Sequence, residues 1–190
     1  MEVGPLARVL LLYAKGDEAT QELVNSTLST LGADKRALFS TLGRTAARTL
    51  ETKLIADKMQ TWMDTLMANI KAGNTRTFNE KKWDPSGWPK EARGVGFTEA
   101  PRGGLAHYIV IKDQKIDNYQ AVVPSTWNAG PRDPMGQKGP YESALIGTPI
   151  ADPNKPVEIL RTIHSFDPCL ACAVHVMDGN GSEIIRVKAL

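Results

Sequence analysis

The 190-residue sequence contains only two cysteines, Cys169 and Cys172, which excludes a fold held together by several disulfide bonds. It also lacks a long hydrophobic segment, because the apolar run at residues 9–13 is far shorter than the ~20 residues of a membrane-spanning helix. An excess of charge of one sign is absent too, since 23 basic and 21 acidic residues leave a formal net charge of +2. Nothing in this balance indicates binding to nucleic acid or to an anionic membrane.

A signal peptide is not visible, because the first residues have neither a basic region nor a long apolar stretch. Export would then require a partner that carries the signal. Apolar residues make up 42% of the chain and charged residues 23%, which is typical of a soluble globular protein. A chain of this length can form one domain with a sizeable hydrophobic core.

Residues 5–72 are predicted to be helical. Gly16 and Gly32 are suitable C-terminal caps for the first two helices. From Asp34 to Gly73, apolar residues recur at steps of three and four, which predicts one long amphipathic helix. The apolar positions of that helix are Leu38, Leu42, Ala46, Leu50, Leu54, Ile55, Met59, Trp62, Leu66 and Ile70.

The rest of the chain changes character. Residues 73–128 are predicted to form a loop, rich in glycine and proline up to residue 104, and then a β-hairpin at about 106–123, where apolar and polar residues alternate. Within residues 129–175 we predict loop and two short helices, at 141–147 and 156–163. The expected fold class is therefore mainly α with a small antiparallel β-sheet.

The two cysteines lie three residues apart and are followed by His175. Asp167 is a favourable N-cap and Pro168 a favourable first helical residue, which predicts a helix with Cys169 in its first turn. Cys172 then lies one turn later on the same side. The unpaired amides of a helix start favour the thiolate, the form that binds metals.

Local spacing leaves several interpretations of this dithiol open. One is a buried structural pair. Another is a redox CxxC motif of the thioredoxin kind, although that motif sits early in a βαβ unit. A structural zinc site needs four ligands, and one CxxC with one histidine supplies only part of that set.

The segment DPCLACAVH resembles the C-terminal metal-site motif of nickel–iron hydrogenase large subunits. Four other segments resemble the same family, in its order: MEVGPLAR, GFTEAPRGGLAHY, NYQAVVPSTWNAGPRD and PYESALIGTPI. The resemblance covers the whole chain and is closest to the membrane-bound, respiratory hydrogen-uptake type. It implies the C-terminal portion of the large-subunit fold, within an enzyme that reversibly cleaves H2 to protons and electrons.

The resemblance also implies a nickel–iron centre held by four thiolates, with carbon monoxide and cyanide on the iron. Cys169 matches a terminal nickel ligand and Cys172 a bridge between nickel and iron. Soft thiolates suit nickel across its redox states. His175 and the backbone carbonyl of Ala121 match ligands of a magnesium ion.

Arg102 matches the family's arginine over the metals, where a guanidinium assists proton transfer and orients cyanide; otherwise it is a solvated loop arginine. Pro101 matches part of the pocket around the diatomic ligands. Ser125 matches a hydrogen-bond donor to cyanide, and is otherwise an ordinary turn serine. Asp167 matches a carboxylate near the arginine, so that Arg102, Asp167 and Cys169 are the predicted catalytic residues. His107 is interpreted as a hydrogen-bonded structural histidine.

This sequence departs from the family in length and in cysteine content. Family large subunits are much longer and carry a second motif, RxCxxC, near the N-terminus, so this chain supplies two of four thiolates. We interpret residues 1–175 as a C-terminal segment, inactive alone, with helix faces left uncovered. Residues 176–190 resemble the extension that a maturation protease removes after nickel insertion; the alternative is an ordinary edge hairpin.

The expected partners are an iron–sulfur small subunit that carries electrons and brings the export signal, the maturation protease, nickel-insertion proteins and H2, but no nucleic acid. The mature protein is expected to be membrane-associated on the periplasmic side, and the unprocessed precursor cytoplasmic. Two alternatives stay open. One is a non-enzymatic metal-binding module that uses Cys169, Cys172 and His175, and the other is a purely structural fragment with a C-terminal CxxCxxH.

Overall fold

The computed structural model describes residues 1–169, 174–177, 180 and 183–187. Its α-helices are α1 (Pro5–Ala14), α2 (Glu18–Leu31), α3 (Thr41–Lys71), α4 (Pro124–Asn128), α5 (Pro140–Leu145) and α6 (Val157–Ser165). Its strands are β1 (Glu91–Ala100), β2 (Gly103–Lys112), β3 (Lys115–Val122), β4 (Val174–Met177) and β5 (Glu183–Val187). This content confirms the expected mainly-α fold with a small antiparallel sheet.

The hydrophobic core is formed by α1, α2 and the first half of α3. Its buried members are Leu6, Val9, Val24, Leu28, Leu38, Ala47 and Leu50. Full burial of one such aliphatic side chain stabilises the fold by about 1.5–3 kcal/mol before conformational entropy is subtracted. These contacts fix α1 against α3, and this pair of helices carries the elements described below.

The ends of the first two helices follow the predicted signals. The Asp17 carboxylate accepts a hydrogen bond from the Thr20 amide at 2.9 Å and caps the start of α2. Gly32 ends α2 with a left-handed φ of 60°, a conformation that glycine adopts without steric cost. Gly16 follows the end of α1 with a φ of 83°.

The long helix begins later than predicted. Lys35–Phe39 form a separate 3-10 turn, and α3 starts at Thr41, where the Ser40 hydroxyl accepts a hydrogen bond from the Gly43 amide at 3.0 Å. Gly43 is buried against the turn: a Cβ added there would lie 2.3 Å from the carbonyl oxygen of Ala37. The preceding turn therefore folds back onto the first turn of α3 and does not continue it.

Only the first half of α3 is buried. The second half presents large apolar side chains that are between 46% and 62% exposed. They are Ile55, Met59, Trp62, Met63, Leu66, Met67 and Ile70. The expected apolar stripe is present and is left uncovered by the described residues. Among the described residues, no helix is long and apolar enough to cross a membrane.

Three antiparallel strands form a sheet in the order β1-β2-β3. The β2–β3 hairpin confirms the predicted one. Its turn residues, Asp113 and Gln114, both have positive φ angles of 48° and 62°, as in the two-residue turns that match strand twist.

Strand β1 shows that the prediction of a loop over residues 73–104 was wrong for its second half. Gly94 and Gly96 interrupt the apolar alternation and weaken the strand signal in the sequence. Pairing with β2 along the whole strand, from Glu91 opposite Lys112 to Ala100 opposite Gly103, supplies the backbone partners that define it.

The later helices largely agree with the sequence. Helices α5 and α6 confirm the two short helices, whereas α4 lies where we predicted loop, because Pro124 starts a single helical turn there. Strands β4 and β5 pair antiparallel, with His175 opposite Arg186.

The predicted helix that starts at Pro168 is wrong for the described residues. Helix α6 ends at Ser165, and Asp167 has a φ of 53°, which is left-handed and unlike the extended backbone of an N-cap. Pro168 and Cys169 are not helical. The turn at Asp167 redirects the chain, so the helix-start argument for a Cys169 thiolate does not apply.

We expect Gly43→Ala to lower the free energy of unfolding by about 1–3 kcal/mol, because the added methyl group meets backbone oxygens that cannot move independently. Gly96→Ala is the matched control: an added Cβ there meets no described atom within 4 Å. A urea titration of both variants checks this, and equal midpoints would contradict the close packing at Gly43.

Candidate functional site

Five predicted site residues lie on three elements: Pro101 and Arg102 between β1 and β2, Ser125 on α4, and Asp167 and Cys169 after α6. Two direct contacts join these elements. The Arg102 Nη2 atom lies 3.4 Å from the Asp167 Oδ1 atom. The Cys169 amide donates a hydrogen bond to the Ser125 hydroxyl oxygen at 3.2 Å. The structure therefore places predicted residues in mutual contact although they are distant in sequence.

The Arg102–Asp167 ion pair is too exposed to hold the three elements together by itself. Its side chains are 46% and 38% exposed, and such pairs contribute about 0–1 kcal/mol and are screened by salt. The position of each element must be fixed by the residues behind it.

The segment that leads to Cys169 is fixed at Phe166. This ring is buried, with the Arg44 guanidinium 4.1 Å above it and the Tyr141 ring centre 4.8 Å away. One residue earlier, the Ser165 carbonyl accepts a hydrogen bond from the Arg48 Nη2 atom at 2.7 Å. Because both arginines belong to α3, this helix sets the position at which the chain leaves α6.

The pKa of Tyr141 depends on its burial and on the charge of Asp167. Burial, and then the negative charge of Asp167, raise the pKa of Tyr141 to about 12. The phenol is therefore neutral at physiological pH, and the Asp167 carboxylate lies close enough for its charge to be felt.

Ser125 is positioned through the helix that carries it. Asn128, at the end of α4, is buried and exchanges two hydrogen bonds of 2.9 Å with the backbone of Val3: its amide group donates to the Val3 carbonyl, and its carbonyl oxygen accepts from the Val3 amide. A buried side chain that both donates and accepts in this way fixes orientation. These hydrogen bonds tie α4 to the segment that precedes α1.

The turn with Arg102 packs on the same segment of chain. Gly103 has a φ of 135°, and a Cβ there would lie 2.6 Å from the Val3 side chain and 2.8 Å from the Gly4 nitrogen. Only glycine permits this approach. The carbonyl of Pro101 accepts a hydrogen bond from Arg8 at 2.8 Å.

Three residues that were not predicted from the sequence support the site without belonging to it: Arg8, Arg44 and Asn128. One signal was available for Arg8. It is the only charged residue within the apolar α1, and Glu51 lies one residue after the core residue Leu50 on α3. A buried charge is expected to find a partner of opposite charge.

The remaining predicted residues are not joined to this cluster by a described contact. Ala121 is an exposed residue of β3, opposite His107. The backbone of His175 belongs to β4, in a different sheet, and Cys172 lies outside the described residues. The His107 Nδ1 atom is hydrogen-bonded to the Tyr119 hydroxyl, in keeping with a structural histidine. The magnesium assignment stays a prediction.

Cys169 is a free, exposed thiol. Among residues 1–169 and the described residues beyond them, no group of three or more His, Cys, Asp and Glu side chains is arranged to hold a metal ion. Cys169 supplies a soft thiol two residues after Asp167, which is paired with Arg102, and this set of groups fits one side of a thiolate-bound metal site. The described residues therefore fit part of such a site and not a complete one.

Comparisons with known proteins agree on one family. The family model for nickel-dependent hydrogenases matches residues 1–175. The uptake hydrogenase large subunit of Bradyrhizobium diazoefficiens is 58% identical over 99% of this chain and 32% of its own length. The hydrogenase-1 large chain of Escherichia coli K12 is 56% identical with the same coverage. The chain thus spans about a third of the length of these curated relatives.

Solved structures give the same result. The Ni-Fe-Se hydrogenase of D. vulgaris Hildenborough in its reduced state superposes with a TM-score of 0.65 and 38% identity, over 90% of this chain and 35% of that chain. The actinobacterial-type NiFe-hydrogenase of Ralstonia eutropha H16 superposes with a TM-score of 0.61 and 43% identity, over 70% and 24% of the two chains. These identities accompany a shared fold for most of the described chain.

Proposed function

We propose that this chain, which belongs to the nickel-dependent hydrogenase family, forms the C-terminal part of a large subunit that oxidises H2. The observation that carries this proposal is the contact of Arg102 with Asp167 beside the Ser125–Cys169 hydrogen bond. These residues come from three segments that resemble the family separately.

In the complete subunit, Cys169 would be a terminal nickel ligand and Cys172 a bridging ligand of nickel and iron. When bound, the nickel–iron centre supplies heterolytic cleavage of H2. Cys169 would hold the nickel through its thiolate, and that thiolate would then be in position to hold the proton released from H2. Two further thiolates must come from polypeptide outside this sequence.

Arg102 would act beside the metals. Its guanidinium offers five N–H donors in a rigid plane. Asp167 orients that plane from one side through the 3.4 Å contact. Exclusion of water by the rest of the subunit would strengthen this exposed pair, since charges interact more strongly at low dielectric.

The finer assignments belong to the same proposal. The iron would carry carbon monoxide and cyanide, with Pro101 lining their pocket and Ser125 donating a hydrogen bond to cyanide. The Ser125 hydroxyl proton is available for this, because its oxygen is the acceptor towards Cys169. A magnesium ion would be bound by His175 and the carbonyl of Ala121.

The proposed partner is an iron–sulfur small subunit, which would remove electrons and provide the export signal. The mature complex would then lie on the periplasmic side of the membrane. The exposed apolar half of α3 supports a larger assembly, because monomeric proteins rarely leave so many large apolar side chains on one helix face. Nickel-insertion proteins and a maturation protease would act before export.

We expect Cys169→Ser and Cys172→Ser, each in the full-length large subunit, to abolish H2 oxidation and nickel retention together, because a hard hydroxyl replaces a soft thiolate. Metal analysis of the purified subunit and a hydrogen-uptake assay measure the two effects. Thr126→Ser, next to Ser125, is the control for handling and expression. A Cys169→Ser protein with normal nickel but no activity would instead support a role other than ligation.

Arg102→Lys should lower turnover by about 100-fold while nickel and iron contents stay near those of the unchanged enzyme, because lysine keeps the charge and loses the planar fork. Arg93→Lys is the matched control, since Arg93 is a highly exposed arginine of β1 paired with Glu91. Normal turnover in metal-replete Arg102→Lys would return Arg102 to the solvated-loop interpretation.

Residues 176–190 should be removed by cleavage after His175, and only once nickel is bound. In the present structure His175 is paired with Arg186 in the β4–β5 ladder, so cleavage would release β5 and free the end of the chain to close over the metals. Intact-mass measurement of the subunit from nickel-replete and nickel-starved cells distinguishes the cases. Equal processing in both would leave the segment as a structural hairpin.

A further inference from the structure

Every N–H group of the Arg8 guanidinium is hydrogen-bonded. Nε donates to Glu51 at 2.5 Å, and Nη2 donates to Glu51 at 2.7 Å and to the Pro101 carbonyl at 2.8 Å. Nη1 donates to Glu99 at 2.8 Å and to the Ala100 carbonyl at 2.9 Å. All five donors of the fork are therefore paired, two of them with consecutive backbone carbonyls.

Two features make this contact stiff. The Arg8 and Glu51 side chains are each only 18% exposed, and both atoms of the Glu51 carboxylate are engaged, which is the bidentate arrangement that fixes direction as well as distance. The hydrogen bond to Glu51 also raises the pKa of Arg8, so the guanidinium keeps its charge.

The two carbonyls belong to the residues directly before Arg102. We propose that Arg8 is a positioning residue for Arg102: it holds the backbone of the β1–β2 turn at a fixed place relative to α1 and α3. Helix α3 also fixes the chain before Asp167, through Arg44 and Arg48. Both halves of the Arg102–Asp167 pair are therefore positioned by contacts with α3. This inference deepens the proposed function, and its role in turnover rests on that function.

Arg8→Lys is the informative substitution. Lysine keeps the charge but has three donors at a single point, so it cannot serve one bidentate carboxylate and two carbonyls together. Arg93→Lys is the control, because Arg93 also donates through two nitrogens to one glutamate, Glu91, and lies at the opposite end of β1 from the turn.

The first measurement is amide hydrogen exchange in the full-length large subunit. Arg8→Lys should speed exchange in the turn around Arg102 and Gly103 by about tenfold, while the β2–β3 turn at Asp113 stays unchanged. Arg93→Lys should leave the turn around Arg102 unchanged. Glu51→Gln should act like Arg8→Lys but more weakly, because it keeps the shape and loses the charge. Equal effects of Arg8→Lys and Arg93→Lys on this turn would overturn the proposal, and so would uniformly faster exchange in both Arg8→Lys and Glu51→Gln.

The second measurement uses the assembled enzyme. If Arg8 acts through Arg102, Arg8→Lys lowers turnover without loss of nickel, and the double variant with Arg102→Lys is no slower than Arg102→Lys alone. Independent, multiplying effects would overturn the positioning role. One combination of results separates this inference from the proposed function. If exchange changes only in the turn, but the protein without substitutions contains no nickel and is inactive, the proposed function is rejected and the placement of the turn by Arg8 stands.

Discussion

The bidentate contact between Arg8 and Glu51 is the interaction on which the arrangement of the site depends. It joins α1 to α3 beside the hydrophobic core and leaves three donors of the guanidinium for Glu99 and the two backbone carbonyls before Arg102. A partly buried ion pair of this kind is not a strong source of stability, because removal of its charges from water opposes their attraction. Its effect here is on geometry, since the same guanidinium fixes the turn that carries Arg102.

Two arginines of α3 have the same effect on the other half of the site. Arg44 covers Phe166, and Arg48 binds the carbonyl of Ser165, so that the chain turns at Asp167 from a fixed place. Both halves then meet in the exposed Arg102–Asp167 contact, which needs little strength of its own. Helix α3 is thus the common reference for a site whose residues all lie elsewhere.

The same helix has two unlike halves. Its first half is buried in the core and carries Arg44, Arg48 and Glu51, whereas its second half exposes an apolar stripe to solvent. An uncovered stripe of this kind fits the proposal of a larger subunit, as does the coverage of about a third of each curated relative. The half of α3 that positions the site is the half that other residues of this chain bury.

The sequence determined the helices of the first half, the β2–β3 hairpin and the chemical types at the site, because these depend on local signals: apolar periodicity, caps such as Gly16 and Gly32, and the CxxC motif. It could not determine strand β1, since Gly94 and Gly96 hide the alternation and pairing with β2 defines it. It misplaced Cys169 on a helix start, because an aspartate before a proline is favoured as an N-cap, whereas Asp167 adopts a left-handed conformation here. Only the tertiary structure decided that Arg8 holds the turn of Arg102, because its partners are supplied by chain folding across long sequence separations.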